Sequence, residues 1–149
     1  MKWMQAFMLV TILSFLVFPA SGMATSLENL PSSEASDQWE VNIDTPKNND
    51  FETKPDIYNI FSMDIKYTGD KDIKLDRVEA YRDDPSSSYD FELFTVNDDL
   101  EFEKNKEQPV FSHQNFPLSI QSTELKVIVT WSDKDDSSRK YKEEFIFKQ

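Results

Sequence analysis

Cysteine is missing from all 149 residues of this chain. Without a thiol there can be no disulfide staple, on which many small secreted domains depend, and no lipid-attachment cysteine of the bacterial lipoprotein kind. Glycine is nearly missing too, with Gly22 and Gly69 the only two. Phosphate-cradling loops, dinucleotide-binding turns and nucleophile elbows all need closely spaced glycines, so nucleotide-dependent and serine-hydrolase chemistry lose their usual hardware. His113 is the only histidine, and a catalytic zinc would therefore lack its customary ligands. Its neighbours Ser112, Gln114 and Asn115, before Pro117, give it the reading of a solvated loop histidine. Positive charge is scarce, with 16 Lys and Arg against 28 Asp and Glu. The cations stand singly among carboxylates, whereas a phosphate backbone is bound by clustered cations that displace its counterions. Nucleic acid is thus excluded as a partner, and no cofactor is indicated.

Apolar runs are confined to the start of the chain. Lys2 supplies a positive end, Trp3 to Phe18 an almost unbroken apolar stretch, and Pro19 to Ala24 a small-residue exit, which is the layout of a secretory signal peptide. The stretch is shorter than the roughly 20 residues a membrane-spanning helix needs. Cleavage after Ala24 is expected, since Gly22 and Ala24 put small residues at the two positions a signal peptidase buries; Ala20 and Gly22 offer a second site two residues earlier. No later segment could anchor the mature chain in a membrane. A cysteine-free exported chain is what Gram-positive bacteria commonly make, so the expected destination is the extracellular medium.

Removing the leader takes away Lys2 and no carboxylate, which moves the formal charge from −12 to −13. Such a charge favours solubility and opposes anionic surfaces unless a divalent cation bridges them. Residues 25–37 are small, polar and acidic, and are expected to form a flexible linker because they carry little apolar surface to offset ordering. Residues 38–149 are one domain's worth of chain. Their apolar residues repeat with period two: Trp39, Val41 and Ile43, then Phe61, Met63, Ile65 and Tyr67, each set alternating with polar residues. That period marks half-buried strands.

In residues 73–82 the phase switches from Ile73 and Leu75 to Val78 and Ala80, as one extra residue near Asp76 or Arg77 would cause. Gly69, in the turn 68–72, suits a position needing positive φ and predicts a hairpin between its flanking strands. Further strands are expected over 89–96 and 100–103, divided by a turn at Asn97-Asp98-Asp99, with short apolar pieces around Val110-Phe111 and 116–120. The end of the chain is the clearest. Leu125, Val127, Val129 and Trp131 alternate strictly, the tip 133–138 is polar, and Tyr141, Phe145 and Phe147 alternate back. Setting Trp131 opposite Tyr141 places Val127 against Phe145 and Leu125 against Phe147, so one register satisfies three apolar pairs; Glu143 then opposes Val129, which an edge position or a bulge would relieve. About seven short strands without helical period describe an all-β fold, an immunoglobulin-like antiparallel β-sandwich, with a small closed barrel as the rival architecture.

Three constellations bear on chemistry. Asp133, Asp135, Ser137 and Glu144 fall at the first, third, fifth and twelfth places of a calcium loop, but Ser138 replaces the turn glycine and strands replace the flanking helices, so a charged hairpin tip is the simpler account; Asp70 and Asp72 make a second acidic turn. Asp133, Asp135 and Glu144 remain the metal candidates. Paired carboxylates could serve a glycosidase, yet carboxylates are so abundant that pairing by itself carries no signal. Trp39 and Trp131 lie in phase with aliphatic neighbours and read as core, leaving Tyr58 and Tyr89 as surface aromatics. The expectation is a secreted, non-enzymatic domain that binds an extracellular protein or envelope component through loops or a strand edge. The alternatives are a small secreted hydrolase using paired carboxylates and a calcium-stabilised adhesion module.

Overall fold

Alternating apolar residues make strands here, and the strands make two sheets. The computed structural model of the protein describes residues 25–48, 54–102 and 110–149, the side chains of 98–102 excepted. The export signal expected over residues 1–24 lies outside the described residues. Among the described residues nine strands follow in order: β1 Thr25–Ser26, β2 Ser32–Ala35, β3 Trp39–Asp44, β4 Tyr58–Tyr67, β5 Ile73–Arg82, β6 Phe91–Phe102, β7 Phe111–Ser119, β8 Glu124–Asp133 and β9 Lys140–Lys148. One sheet has the order β1-β9-β8-β5-β6 and the other β2-β3-β4-β7. Every pairing between these strands is antiparallel except that of β1 with β9.

Each sheet turns one apolar face inward. Trp39, Val41 and Ile43 of β3 and Met63 and Ile65 of β4 join Leu75, Val78 and Ala80 of β5, Leu125, Val127 and Val129 of β8, and Phe147 of β9 in one buried cluster. The result is an all-β sandwich of two open sheets, compatible with an immunoglobulin-type arrangement. It has nine strands in place of seven because β1 and β2 are added at the edges. The β8–β9 pairing is the one the alternation predicts, with Trp131 opposite Tyr141, Val127 opposite Phe145 and Leu125 opposite Phe147. Glu143 does oppose Val129; β1 covers β9 only at Phe147 and Lys148, so Glu143 stands at a sheet edge and accepts a hydrogen bond from the Ser36 hydroxyl. The phase switch in β5 is a bulge at Asp76, where the register shifts against both neighbours.

Four expectations need correction. Residues 25–37 are built into both sheets: Thr25 and Ser26 pair with β9, residues 32–35 pair with β3, and Leu27 is buried. Composition missed this because the ordering comes from backbone pairing with sheet edges, pinned by Leu27 and the half-buried Leu30. The turn 68–72 joins strands of opposite sheets and is no hairpin. Gly69 does not have positive φ; a Cβ there would meet the Tyr67 hydroxyl and the Gln38 side-chain carbonyl, so a larger residue would require those side-chain ends to shift. Asn97-Asp98-Asp99 is no turn but the irregular middle of β6, where the register shifts opposite Asp76. Finally, β7 is one strand running through His113, and it carries a bulge of its own. Two of its residues, Gln114 and Asn115, the latter at φ 63°, stand opposite the single Ser62. That bulge switches the buried face from Phe111 and His113 to Phe116 and Leu118, so the histidine expected in a solvated loop sits on a strand.

Candidate functional site

The pairing of β5 with β8 decides where chemistry can gather. Ile73 lies opposite Asp133, so the turn entering β5 and the turn leaving β8 meet at one end of the sandwich, the apex. The Lys134 backbone N–H donates to the Asp72 carbonyl (3.1 Å) and ties the two turns together. Within the second turn the Asp136 N–H donates to the Asp133 carbonyl (3.3 Å), and the Asp136 carboxylate accepts from the hydroxyl and the backbone N–H of Ser138. Those two bonds hold the Asp136 carboxyl below its ordinary pKa. The turns line a cavity of about 430 Å³ with five carboxylates, Asp70, Asp72, Asp133, Asp135 and Asp136, and two lysines, Lys71 and Lys134.

A second cavity of about 330 Å³ shares Lys71 and Asp133 with the first and is lined by Trp131, Tyr141, Gln38 and Glu143. Its aromatic lining continues the core. Tyr67 packs on Trp39 (5.1 Å between centroids), Trp39 meets Trp131 edge-on across the two sheets (5.5 Å), and Trp131 stacks on Tyr141 (5.8 Å). The Arg139 guanidinium lies 5.0 Å over the Tyr141 ring, within cation–π range. The Tyr141 hydroxyl donates to Asp133 (3.3 Å). At the inner end of the ladder, burial raises the Tyr67 hydroxyl's pKa; the hydrogen bond from the Lys71 N–H opposes the rise, and the charges of Asp70, Asp133 and Asp72 add to it. The acidic field of the apex therefore reaches into the aromatic stack.

Comparison with known proteins adds the family. The sequence model of YozF-like secreted proteins matches residues 23–149. The chain belongs to this family. A YozF-like relative, the uncharacterized protein YozF of Bacillus subtilis (strain 168), is 30% identical over an alignment covering 91% of this chain and 94% of the relative. No solved structure matches. As a YozF-like protein the chain is secreted, the destination expected from its leader. Among the described residues no helix is long and apolar enough to cross a membrane.

In this YozF-like chain the three metal candidates are not brought together. Asp133 and Asp135 belong to the apex, but Glu144 lies on β9 opposite Ile128 and lines a separate groove with Glu34 and Glu143. A calcium loop curls its twelfth residue back to the ion, whereas a strand rises about 3.3 Å per residue and carries Glu144 away. Among the described residues no group of three or more His, Asp or Glu is disposed to hold a metal ion. His113 is half-buried among aromatic rings, 4.0 Å from Phe94 and parallel to Phe116 at 6.0 Å, and burial lowers its pKa. Tyr89 is exposed as expected, while Tyr58 is half-buried. The aromatic lining of the apex was missed because Trp131 and Tyr141 were in phase with the core. They do belong to it, and the cavity opens at the end of the same stack.

Proposed function

We propose that this secreted protein is a non-enzymatic binding module whose apex takes a basic segment of an extracellular or envelope protein. The observation that carries the reading is that the rim carboxylates of Asp70 and Asp135, beside an aromatic-lined cavity, have no hydrogen-bond or ion-pair partner among the described residues. A basic segment lying across the apex would meet the carboxylates of one cavity and the Trp131 and Tyr141 rings of the next, the two cavities sharing Lys71 and Asp133. Arg139 already makes the cation–aromatic contact within the chain. The formal charge of −12 would steer a cationic partner toward the protein from a distance. Loops at one end of a sandwich are also the common place for recognition in this architecture, an analogy of fold alone.

Hydrolysis by paired carboxylates is the competing reading. A general acid of that kind needs a carboxyl held up in pKa. Asp64, Asp83, Asp84 and Asp136 are all moved down, which supports binding over catalysis. The test is titration with a short Lys- and Arg-rich peptide, followed by tryptophan fluorescence at low and physiological salt. Binding should weaken with salt and be lost in the Asp70→Asn, Asp135→Asn double variant while its circular dichroism stays unchanged. Equal binding by the variant would overturn the reading. Turnover of wall or polysaccharide substrates that one carboxylate-to-amide change abolishes would replace it with the hydrolase.

A further inference from the structure

Away from the apex, β1 and β2 belong to different sheets, yet they are joined through one residue of β1, Thr25. Thr25 lies beside Phe147 at the edge of the larger sheet, and Glu34 lies in β2 of the smaller one. The Thr25 backbone nitrogen donates to the Glu34 carboxylate at 2.6 Å. The Thr25 hydroxyl meets the same carboxylate oxygen, and the Ser33 carbonyl lies 3.2 Å from it. The nitrogen in this contact is the one a signal peptidase would set free by cutting after Ala24. Hydrolysis of the Ala24–Thr25 bond consumes one water and leaves a carboxylate on Ala24 and an ammonium on Thr25. No other atom need move for that ammonium to find its counterion.

We propose that export processing completes an ion pair between the new α-ammonium of Thr25 and Glu34, and that this pair clamps the two sheets together at their edge. The surroundings suit a cation. The adjoining groove carries Glu34 from β2, Glu143 and Glu144 from β9, and Lys148 from β9. Lys148 is already paired with Glu124 of β8, so the carboxylates of the groove are in excess. Before cleavage Thr25 offers a neutral amide with one proton; afterwards it offers a full charge and three donors, and hydrogen bonds between ionised groups are the stronger kind. A chain that must be threaded across a membrane before it folds thus gains part of its final stability only once the leader is gone.

The test compares three chains, one beginning at Thr25, the same chain acetylated at Thr25 and one retaining Ala24 at its start, each with Glu34 and with Glu34→Gln. The α-ammonium of the first, followed by NMR, should titrate above the ordinary range of about 7.7 to 8.0 and return to it with Glu34→Gln. The raised folded-state pKa sets the sign of the stability effect. The extra stability is fully present below the unfolded value and is lost as pH rises through the folded one. Thermal unfolding of the Thr25 chain should therefore fall across that window, while the acetylated chain stays flat and the Ala24 chain shows no Glu34-dependent step. A Thr25 ammonium titrating in the ordinary range would overturn the proposal. So would a loss on Glu34→Gln that is equal in the free and acetylated chains, or an exported protein whose mass shows that it does not begin at Thr25.

Discussion

The two ends of the sandwich are both acidic, but their carboxylates are used differently. At the base, Asp83 accepts from the Thr123 N–H (2.7 Å), the Thr123 hydroxyl (2.6 Å) and the Glu124 N–H (3.0 Å), knitting the β5–β6 loop to the start of β8. Asp84 accepts from the N–H and hydroxyl of Ser86 within its own turn, and Asp90 pairs with Lys126. Burial pushes the Asp83 carboxyl up, but the Thr123 and Glu124 donors outweigh it and hold the group below its ordinary range. At the apex, Asp70 and Asp135 find no such donors among the described residues, and the neighbouring cavity, which shares Lys71 and Asp133 with theirs, is lined by Trp131 and Tyr141. The difference lies in the donors and not in residue type. A carboxylate enclosed by N–H groups is a piece of the fold, and one left at a rim is available to something else.

If the apex cavity is an opening of the core, then its lining should matter more to stability than any charge at either end. Trp131 is 5% exposed and lies between Trp39 and Tyr141. Trp131→Ala should cost about 3 to 5 kcal/mol, read by chemical denaturation. A loss below about 1 kcal/mol would place it among surface substitutions and detach the cavity from the core. The next effect separates the two ends directly. Asp83→Ala should cost about 1 to 2 kcal/mol, the usual range for partly exposed hydrogen bonds to a charged group, whereas Asp135→Asn should stay within about 0.5 kcal/mol. Equal losses would erase the contrast.

How much of this could be read beforehand depends on what fixes each feature. The β8–β9 register was legible because Leu125, Val127, Val129 and Trp131 occupy every second place in a long strand and admit one pairing with Tyr141, Phe145 and Phe147. The bulge at Asp76 was legible because a change of phase in an apolar series needs an extra residue. The segment 25–37 was not, since its order comes from backbone bonds to sheet edges that no side-chain pattern announces. Nor was the setting of Gly69, where the ends of the Tyr67 and Gln38 side chains close over the space a Cβ would take. The apex was half legible. Both acidic turns were visible in the sequence, but their meeting depends on the pairing of β5 with β8, a contact between distant parts of the chain.

His113 supplies a smaller effect, set between the two ends. Burial alone lowers its pKa, so the folded state binds its proton less readily than the unfolded chain does. Stability from this residue is then fully present above the unfolded value of about 6.5 and declines as pH falls toward the folded one. The carboxylates of Asp64 and Asp83, held down in the folded state, add their own loss only at lower pH, below about 3.9. Denaturation midpoints measured from pH 8 to pH 3 should therefore show two declines, and His113→Phe should remove the first and leave the second. A first decline that survives the substitution would assign it to another group.

The smallest expected effect concerns calcium at the apex. Asp133 and Asp135 stand at a strongly acidic rim, but Glu144 is remote from them, and among the described residues no set of three ligands is assembled. Calcium should then act as a diffuse counterion to a chain of formal charge −12. The Debye length falls to about 8 Å at physiological ionic strength, so sodium chloride alone should recover most of any rise in melting temperature that calcium gives at low salt. Asp133→Asn with Asp135→Asn should lower the self-repulsion slightly and leave the calcium response almost as it was. A built site would behave otherwise, because its stabilisation follows RT ln(1 + [L]/Kd) and persists in salt. If calcium in physiological salt still stabilises the protein by more than about 2 kcal/mol, as mass action at a real site allows, and the two substitutions abolish it, then the rim carboxylates that distinguish the apex from the base are metal ligands, and the calcium-stabilised module displaces the peptide-binding one.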